Sequence, residues 1–418
     1  MNKLKTKELV KFSLHQKIIV ALLALTQFTV VLDLMVMSPL GDFLMKSLSI
    51  TPKQFGFAVS SYAFSAAISG ILTAGIADRF DRKKLLLFFY AGFILGTFFC
   101  AIAPNYHLLL IARIVTGLFG GVIGSISMTI VADLFPMDMR GRAIGILQMG
   151  FAASQVLGIP VGLYLTNIWN WHAPFSMIVI LGCSIAILVM KYLEPIKGHL
   201  EDKKPKNVWQ HYRDMLVQPT YQLGFVTTAL VSIGAFLMQP FASAYLINNL
   251  KVSPVQLPLV FMFTGISALV IMPLAGKLSD KMDKFTLFAI GTGWAILFLF
   301  IYTHLWVLPL WIIIVVNILF FMGVMSRMAP AMAFMSAVPE TRDRGAFMSI
   351  SSALQQLAGG LGAAVAGMII IQKTQYAPIE NFSLLGYVSM VIMVICAGFM
   401  YKISLIAKAK SLVEIMKP

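Results

Sequence analysis

The chain has 418 residues, 59% of them hydrophobic and only 12% charged, with a formal net charge of +15. Soluble domains run about 45–50% apolar and about 25% charged, so the composition excludes a soluble enzyme and predicts a polytopic membrane protein. Cys100, Cys183 and Cys396 stand singly in apolar stretches, which offers neither a disulfide framework nor metal-ligand spacing.

Apolar runs of about 20 residues, enough to cross a bilayer as helix, fall at 17–42, 54–77, 84–103, 107–134, 141–165, 172–193, 220–248, 255–276, 285–303, 306–336, 345–371 and 383–406. They predict an N-terminal tail at 1–16, six helices within 17–193, a linker at 194–219, six more within 220–406 and a tail at 407–418. Five lysines lie in the first 17 residues and no small-residue cleavage pattern follows the first run, so the first helix is expected to remain uncleaved. Segments on the N-terminal side of the spans hold 26 of the 32 Lys and Arg. The opposite loops hold Lys46, Lys53, Lys251 and Lys373, and Arg113 and Arg327 lie within spans. Positive loops mark the cytoplasmic side. Both termini are therefore expected in the cytoplasm of a cell that inserts the chain in its membrane, a bacterial inner membrane being the expected place. The positive charge is topology, and no nucleic-acid partner is implied.

In chain order, the first span carries an unexpected carboxylate in VVLDLMVMSPL, Asp33. A charge near the middle of a membrane helix costs roughly 2.5–3.5 kcal/mol on insertion scales. Asp33 stands 8 residues before Gly41, ~12 Å below that end of the helix at 1.5 Å per residue. In the fourth span Arg113 stands 8 residues after Asn105, again ~12 Å deep from the same face. Two readings stand side by side: an ion pair that fixes helix packing, and a pair that takes up and releases a proton. Glycines four apart, Gly117/Gly121, Gly120/Gly124 and Gly158/Gly162, predict faces of close helix contact, and Pro160 a local kink in the fifth span.

The linker EPIKGHLEDKKPKNVWQHYRDMLVQP is polar and Pro-punctuated, and Trp209, Tyr212 and Leu216 predict a surface helix from Val208 to Val217. Beyond it the chain repeats itself. AGIADRFDRKK after the second span is echoed by GKLSDKMDK after the eighth, Asp78 and Asp81 matching Asp280 and Asp283 at an offset of 202. Arg140-Gly141 is echoed by Arg344-Gly345 at an offset of 204. Such a six-plus-six repeat predicts a transporter with its site between the halves. In the tenth span Arg327 stands 12 residues before Pro339, ~18 Å from the basic end. It is expected either to be satisfied by neighbouring polar groups or to bind a carboxylate or phosphate of a substrate. Gln27, Gln239, Tyr245 and Asn317 are further candidates for substrate contact, each equally able to bond another helix. No phosphate loop and no H-E-x-x-H set is present, which argues against a nucleotide-driven pump or a membrane metalloprotease.

The loop with Asp78, Arg79, Arg82 and Lys83, together with its echo, resembles the signature of the major facilitator superfamily, with Ala74 and Asp81 in place of its glycines. Arg113-Ile-Val-Thr-Gly117 resembles the arginine-led motif of proton-coupled exporters. Gly158-Ile-Pro160-Val-Gly162 resembles the antiporter motif, in the form met among arabinose and sugar-efflux permeases of the drug–proton antiporter group. The resemblance implies an all-α fold of twelve transmembrane helices, two six-helix pseudo-symmetric bundles around a central cavity lined by helices 1, 4, 7 and 10. It implies a monomeric secondary transporter, not an enzyme, working by alternating access without a cofactor and driven by the proton gradient. Efflux of a small organic compound is the leading expectation, and uptake of an organic anion, motivated by Arg327, is the rival. The resemblance also implies gating by the basic loops: Asp78 near Gly345, Arg82 with Asp133, and Asp280 near Arg140, contacts formed only when the cytoplasmic side is shut.

Overall fold

A computed structural model of the chain describes residues 12–74, 79–197, 208–340 and 343–415. Among the described residues, twelve helices are long and apolar enough to cross a membrane: Leu14–Val36, Pro52–Thr73, Arg82–Ala101, Tyr106–Leu134, Met137–Ile168, Ala173–Tyr192, Pro219–Asn249, Leu257–Ser279, Lys284–Thr303, Leu310–Ala337, Arg344–Ile369 and Phe382–Lys408. These are spans 1 to 12. Each overlaps one of the twelve apolar runs. The first six spans and the last six form two bundles, and the face carrying the N-terminal end of span 1 is called the basic face below.

Side-chain caps explain where several spans begin. Ser13 Oγ accepts from the Gln16 amide while Gln16 Oε1 accepts from the Ser13 amide, a reciprocal box that satisfies two otherwise orphaned donors. The repeat is written into the caps as well. Asp81 caps span 3 and Asp283 caps span 9, the same residue type at equivalent positions.

Span 1 stops at Val36, earlier than its apolar run, because Pro39 follows and a turn through Met37–Leu40 leads into a short helix, Gly41–Ser47. Spans 8 and 12 run on past their apolar runs, to Lys281 and Ile415 as helices. Hydropathy marks where lipid ends, and a helix has no reason to end there. In span 5 a π-helical turn, Ser154–Gly158, stands just ahead of Pro160. Pro has no amide hydrogen to give the preceding turn, and the wider turn absorbs the misfit. The linker's helix forms at Val208–Val217, its Met215 buried and its Tyr212 packed with Tyr221, Phe225 and Phe347 of the second half.

The halves touch near the face opposite the basic one. Spans 2 and 11 close on each other through glycine: a Cβ on Gly56 would lie 2.7 Å from the Ala363 carbonyl oxygen and 3.1 Å from Gly367 Cα. Ser60 Oγ donates to the Gly360 carbonyl at 2.8 Å. Spans 5 and 8 meet where the π turn lies, Gly265 facing Gln155 and Val156. At Gly70, Gly141, Gly145, Gly276 and Gly345, near the basic ends of spans 2, 5, 8 and 11, an added methyl would meet nothing within 4 Å. The close contacts between the halves thus lie towards the face opposite the basic one, where the passage between them is shut.

Candidate functional site

Asp33 and Arg113 do meet. Arg113 Nη1 donates to Asp33 Oδ2 at 2.7 Å, with the two side chains 1% and 0% exposed. Span 3 contributes Thr97, whose Oγ1 donates to Asp33 Oδ1 at 3.2 Å. Span 2 contributes Tyr62, whose ring centre lies 4.5 Å from the guanidinium carbon, a cation–π contact. Tyr62 can lie there because Gly117 and Gly121 let spans 2 and 4 approach to backbone distance: a Cβ on Gly121 would lie 2.6 Å from Ala66 Cα. Arg113 Nε is buried without a hydrogen-bond partner. The pair thus forms inside the first bundle, walled in by spans 2 and 3, where a cavity-lining position was expected.

A buried ion pair loses more by desolvation than its attraction returns unless further bonds support it, so a chain seldom keeps one for stability. The repeat sharpens this point. At the 204 offset Asn317 of span 10 is the counterpart of Arg113, and at 202 Thr264 is the counterpart of Tyr62. There Thr264 Oγ1 donates to Asn317 Oδ1 at 3.3 Å. One half makes the contact between neutral groups; the other sets a guanidinium over a tyrosine ring.

The remaining candidates divide. Gln27, on span 1, faces Gly124 of span 4, and its Oε1 is buried without a hydrogen-bond partner. Gln239 begins a 3-10 turn in span 7, and its backbone carbonyl accepts from Ser38 Oγ across the halves. Asn317 is taken up by Thr264, so it ties span 10 to span 8. Tyr245 takes the second of its two expected places, a bond to another helix. Its hydroxyl donates to the Tyr302 and Leu305 carbonyls at 3.1 and 3.3 Å, and its ring stacks on Phe382 at 4.0 Å. Arg327 is likewise taken up by its neighbours. Its guanidinium carbon lies 4.9 Å from the Phe288 ring centre in span 9, and Cys396 of span 12 lies beside it. It points into the second bundle, with Nε unpartnered.

Among the gating residues, Asp78 lies outside the described residues, as does the side chain of Asp280. Arg82 Nε bonds Asp133 Oδ2 at 3.1 Å, and the Arg82 amide donates to the Ile196 carbonyl at 3.3 Å. Both partners belong to the first half, so the bond braces spans 3 and 4 within one bundle, where the resemblance implied a contact formed only on closure. Arg140 donates to the Phe135 carbonyl at 2.8 Å in its own loop. Gly158 and Gly162 pack span 5 on Leu32 and Val36 of span 1, so Pro160 and its glycines lean on the same helix that carries Asp33.

Sequence reasoning missed Thr97 and Tyr62. A threonine and a tyrosine in apolar helices carry no signal until the helix faces are known. It also passed over Asp42 and Lys46, although their four-residue spacing in GDFLMKS favours pairing on one helix face.

The family model of the Major Facilitator Superfamily matches residues 23–363 and 224–411. The Bacillus subtilis MFS-type transporter YceJ is 23% identical over 366 residues, 86% of this chain and 91% of that protein. A probable sugar efflux transporter of Helicobacter pylori is 25% identical over 245 residues, 58% of this chain and 61% of that one. Among solved structures, a bacterial homologue of the human lysosomal transporter Spinster, inward-facing and unoccupied, superposes with a TM-score of 0.76 at 17% identity, over 94% of this chain and 98% of that one. The inward-open xylose transporter XylE from E. coli gives a TM-score of 0.70 at 18% identity, over 91% and 95%. Two repeated bundles of six spans and a match along most of the sequence lead to one conclusion: the chain belongs to the Major Facilitator Superfamily.

Proposed function

We propose that this transporter exports a small organic compound in exchange for protons, with Asp33 as the group that carries the proton. On this reading the basic face is the cytoplasmic one, from the distribution of Lys and Arg, and the transporter works as a monomer that encloses its own passage. The sealed Asp33–Arg113 contact carries the reading. Burial and a neighbouring cation act on a carboxylate's proton affinity in opposite senses, so a conformational change that alters either one loads or unloads the proton. Gln27, with its unpartnered Oε1 on a central span, is the substrate contact we favour. The name of the Helicobacter pylori relative makes sugars one class to try, and that of Bacillus subtilis multidrug resistance protein 3, 31% identical over 156 residues, makes drugs another. Uptake of an organic anion rested on Arg327 lining the passage, and its position against Phe288 and Cys396 removes that support.

Proteoliposomes with an imposed pH gradient test the reading against a panel of sugars, lipophilic cations and carboxylates. Antiport moves one of these against the direction of proton flow, stops with a protonophore, and fails in Asp33→Asn. Substrate moving with the protons would make the protein a symporter. Flux indifferent to the gradient would remove Asp33 from any coupling role.

A further inference from the structure

Proton coupling leaves unused a second polar cluster, at the face where the halves close. Asp42 of the short helix Gly41–Ser47 and Asn248 at the end of span 7 are each 3% exposed. Asn248 Nδ2 donates to Asp42 Oδ1 at 2.5 Å, and Lys46 Nζ donates to Asp42 Oδ2 at 2.7 Å and to Asn248 Oδ1 at 3.2 Å. The Tyr376 ring, from the loop before span 12, covers the ammonium at 5.0 Å. Beside the cluster Ser243 Oγ donates to the Ser38 carbonyl at 2.9 Å. Three polar side chains joined across the two halves fill an otherwise apolar seal that includes Phe55 and Phe241.

The repeat explains the choice of residues. Lys46 and Asn248 are equivalent at the 202 offset, and they meet, so the cluster straddles the pseudo-twofold axis. At such an axis equivalent positions face one another. Two lysines there would repel, and the chain has broken the symmetry with an amide. Asp42 then has a donor from each half.

We propose that Asp42, Asn248 and Lys46 are the latch of the face opposite the basic one, and that their charge balance sets how often that face opens. The single carboxylate holds the lysine of its own helix and the amide of the other half together. Separating the halves leaves the carboxylate with the lysine alone and breaks both bonds to Asn248. A second carboxylate at position 248 sets like charges together across the seam, and removal of the amide leaves Asp42 Oδ1 without a donor. Either change favours the open face.

The test reads opening directly and needs neither a substrate nor a proton gradient, so it stands apart from the export reading. Ser243→Cys, made with Cys183→Ser, places a thiol where Ser243 is 0% exposed, and its maleimide labelling is timed in nanodiscs that leave both faces accessible. Asn248→Asp and Asn248→Ala are expected to label about tenfold faster, the population change for loss of one charge-assisted hydrogen bond. Asp42→Asn/Asn248→Asp keeps one carboxylate and one amide within reach of Lys46, and it is expected to return to within about twofold of the parent. Parent-like labelling in both single variants overturns the proposal. So does an exchanged pair that labels as fast as Asn248→Asp while melting at the parent's temperature. Should the exchanged pair fail to fold, Lys46→Met decides: faster labelling supports the latch, and an unchanged rate overturns it.

Discussion

At Asp33 the outcome of a substitution depends on which charge is left behind. Asp33→Asn leaves Arg113 buried and uncompensated, and breaking a buried pair in this way costs about 3–5 kcal/mol. A loss of transport in that variant alone therefore mixes a stability effect with a coupling effect. The double variant Asp33→Asn/Arg113→Met removes both charges, and it is expected to melt within a few degrees of the parent while still failing to use a pH gradient. Gradient-driven transport by the double variant would assign the pair to packing. Thr97 gives a subtler probe. Its hydroxyl is the second donor on the carboxylate, so Thr97→Val makes the carboxylate form less favourable. The pH profile of transport is then expected to move alkaline, whereas Thr97→Ser leaves it in place. The depth match of Asp33 and Arg113 was legible because 1.5 Å per residue converts position into height. That both would face into one bundle was not, since height says nothing of rotation about the helix axis. The two readings of Arg327 stayed open in the sequence for the same reason.

Among the elements, glycine separates permanent contacts from those that form in only one state. Gly121 lies against the backbone of span 2 in the same bundle, where no neighbour can give way. Gly121→Ala is expected to lower the melting temperature by the equivalent of about 1–3 kcal/mol of overpacking. Gly276 has open space around it. Gly276→Ala is expected to melt no lower than the parent, since Ala favours a helix interior by about 0.5–1 kcal/mol, but to slow turnover if the basic ends approach in the other state. Equal melting of the two variants would refute the distinction. The order of the spans, the equivalence of Asp81 and Asp283 and the linker helix were all legible, because each rests on local spacing. The brace between Arg82 and Asp133 was legible as a pair, because pairing follows from charge and proximity, whereas gating depends on which half each partner rides on.

Across the whole molecule, the far end of span 12 is tied back to the start of span 9. Lys408 Nζ bonds Asp283 Oδ1 at 2.9 Å. The Lys408 ammonium first, and then the Thr286 amide, hold the Asp283 carboxyl below its ordinary value of 3.8. A carboxyl lowered by folding adds stability that is present above its unfolded value and is lost as pH falls through the folded one. Amide exchange around Lys408 is thus expected to accelerate only below the ordinary carboxylate range, and Asp283→Asn to show fast exchange at neutral pH as well. The pair is partly solvated and is worth at most about 1 kcal/mol, so overall melting at neutral pH should hardly change. An Asp283→Asn variant with parent-like exchange at neutral pH would mean that packing alone holds the end of span 12.

The sealed contact in the first bundle has an electrical consequence. Held together, Asp33 and Arg113 are a dipole with no net charge. A proton on Asp33 turns it into one elementary charge inside the bilayer, and one charge moved through the full membrane potential exchanges about 2.3 kcal/mol per 100 mV. A pH jump on a solid-supported membrane should then draw a brief capacitive current from the protein with no substrate present. That current should vanish with Asp33→Asn, and one that persists would place the charge movement elsewhere in the chain.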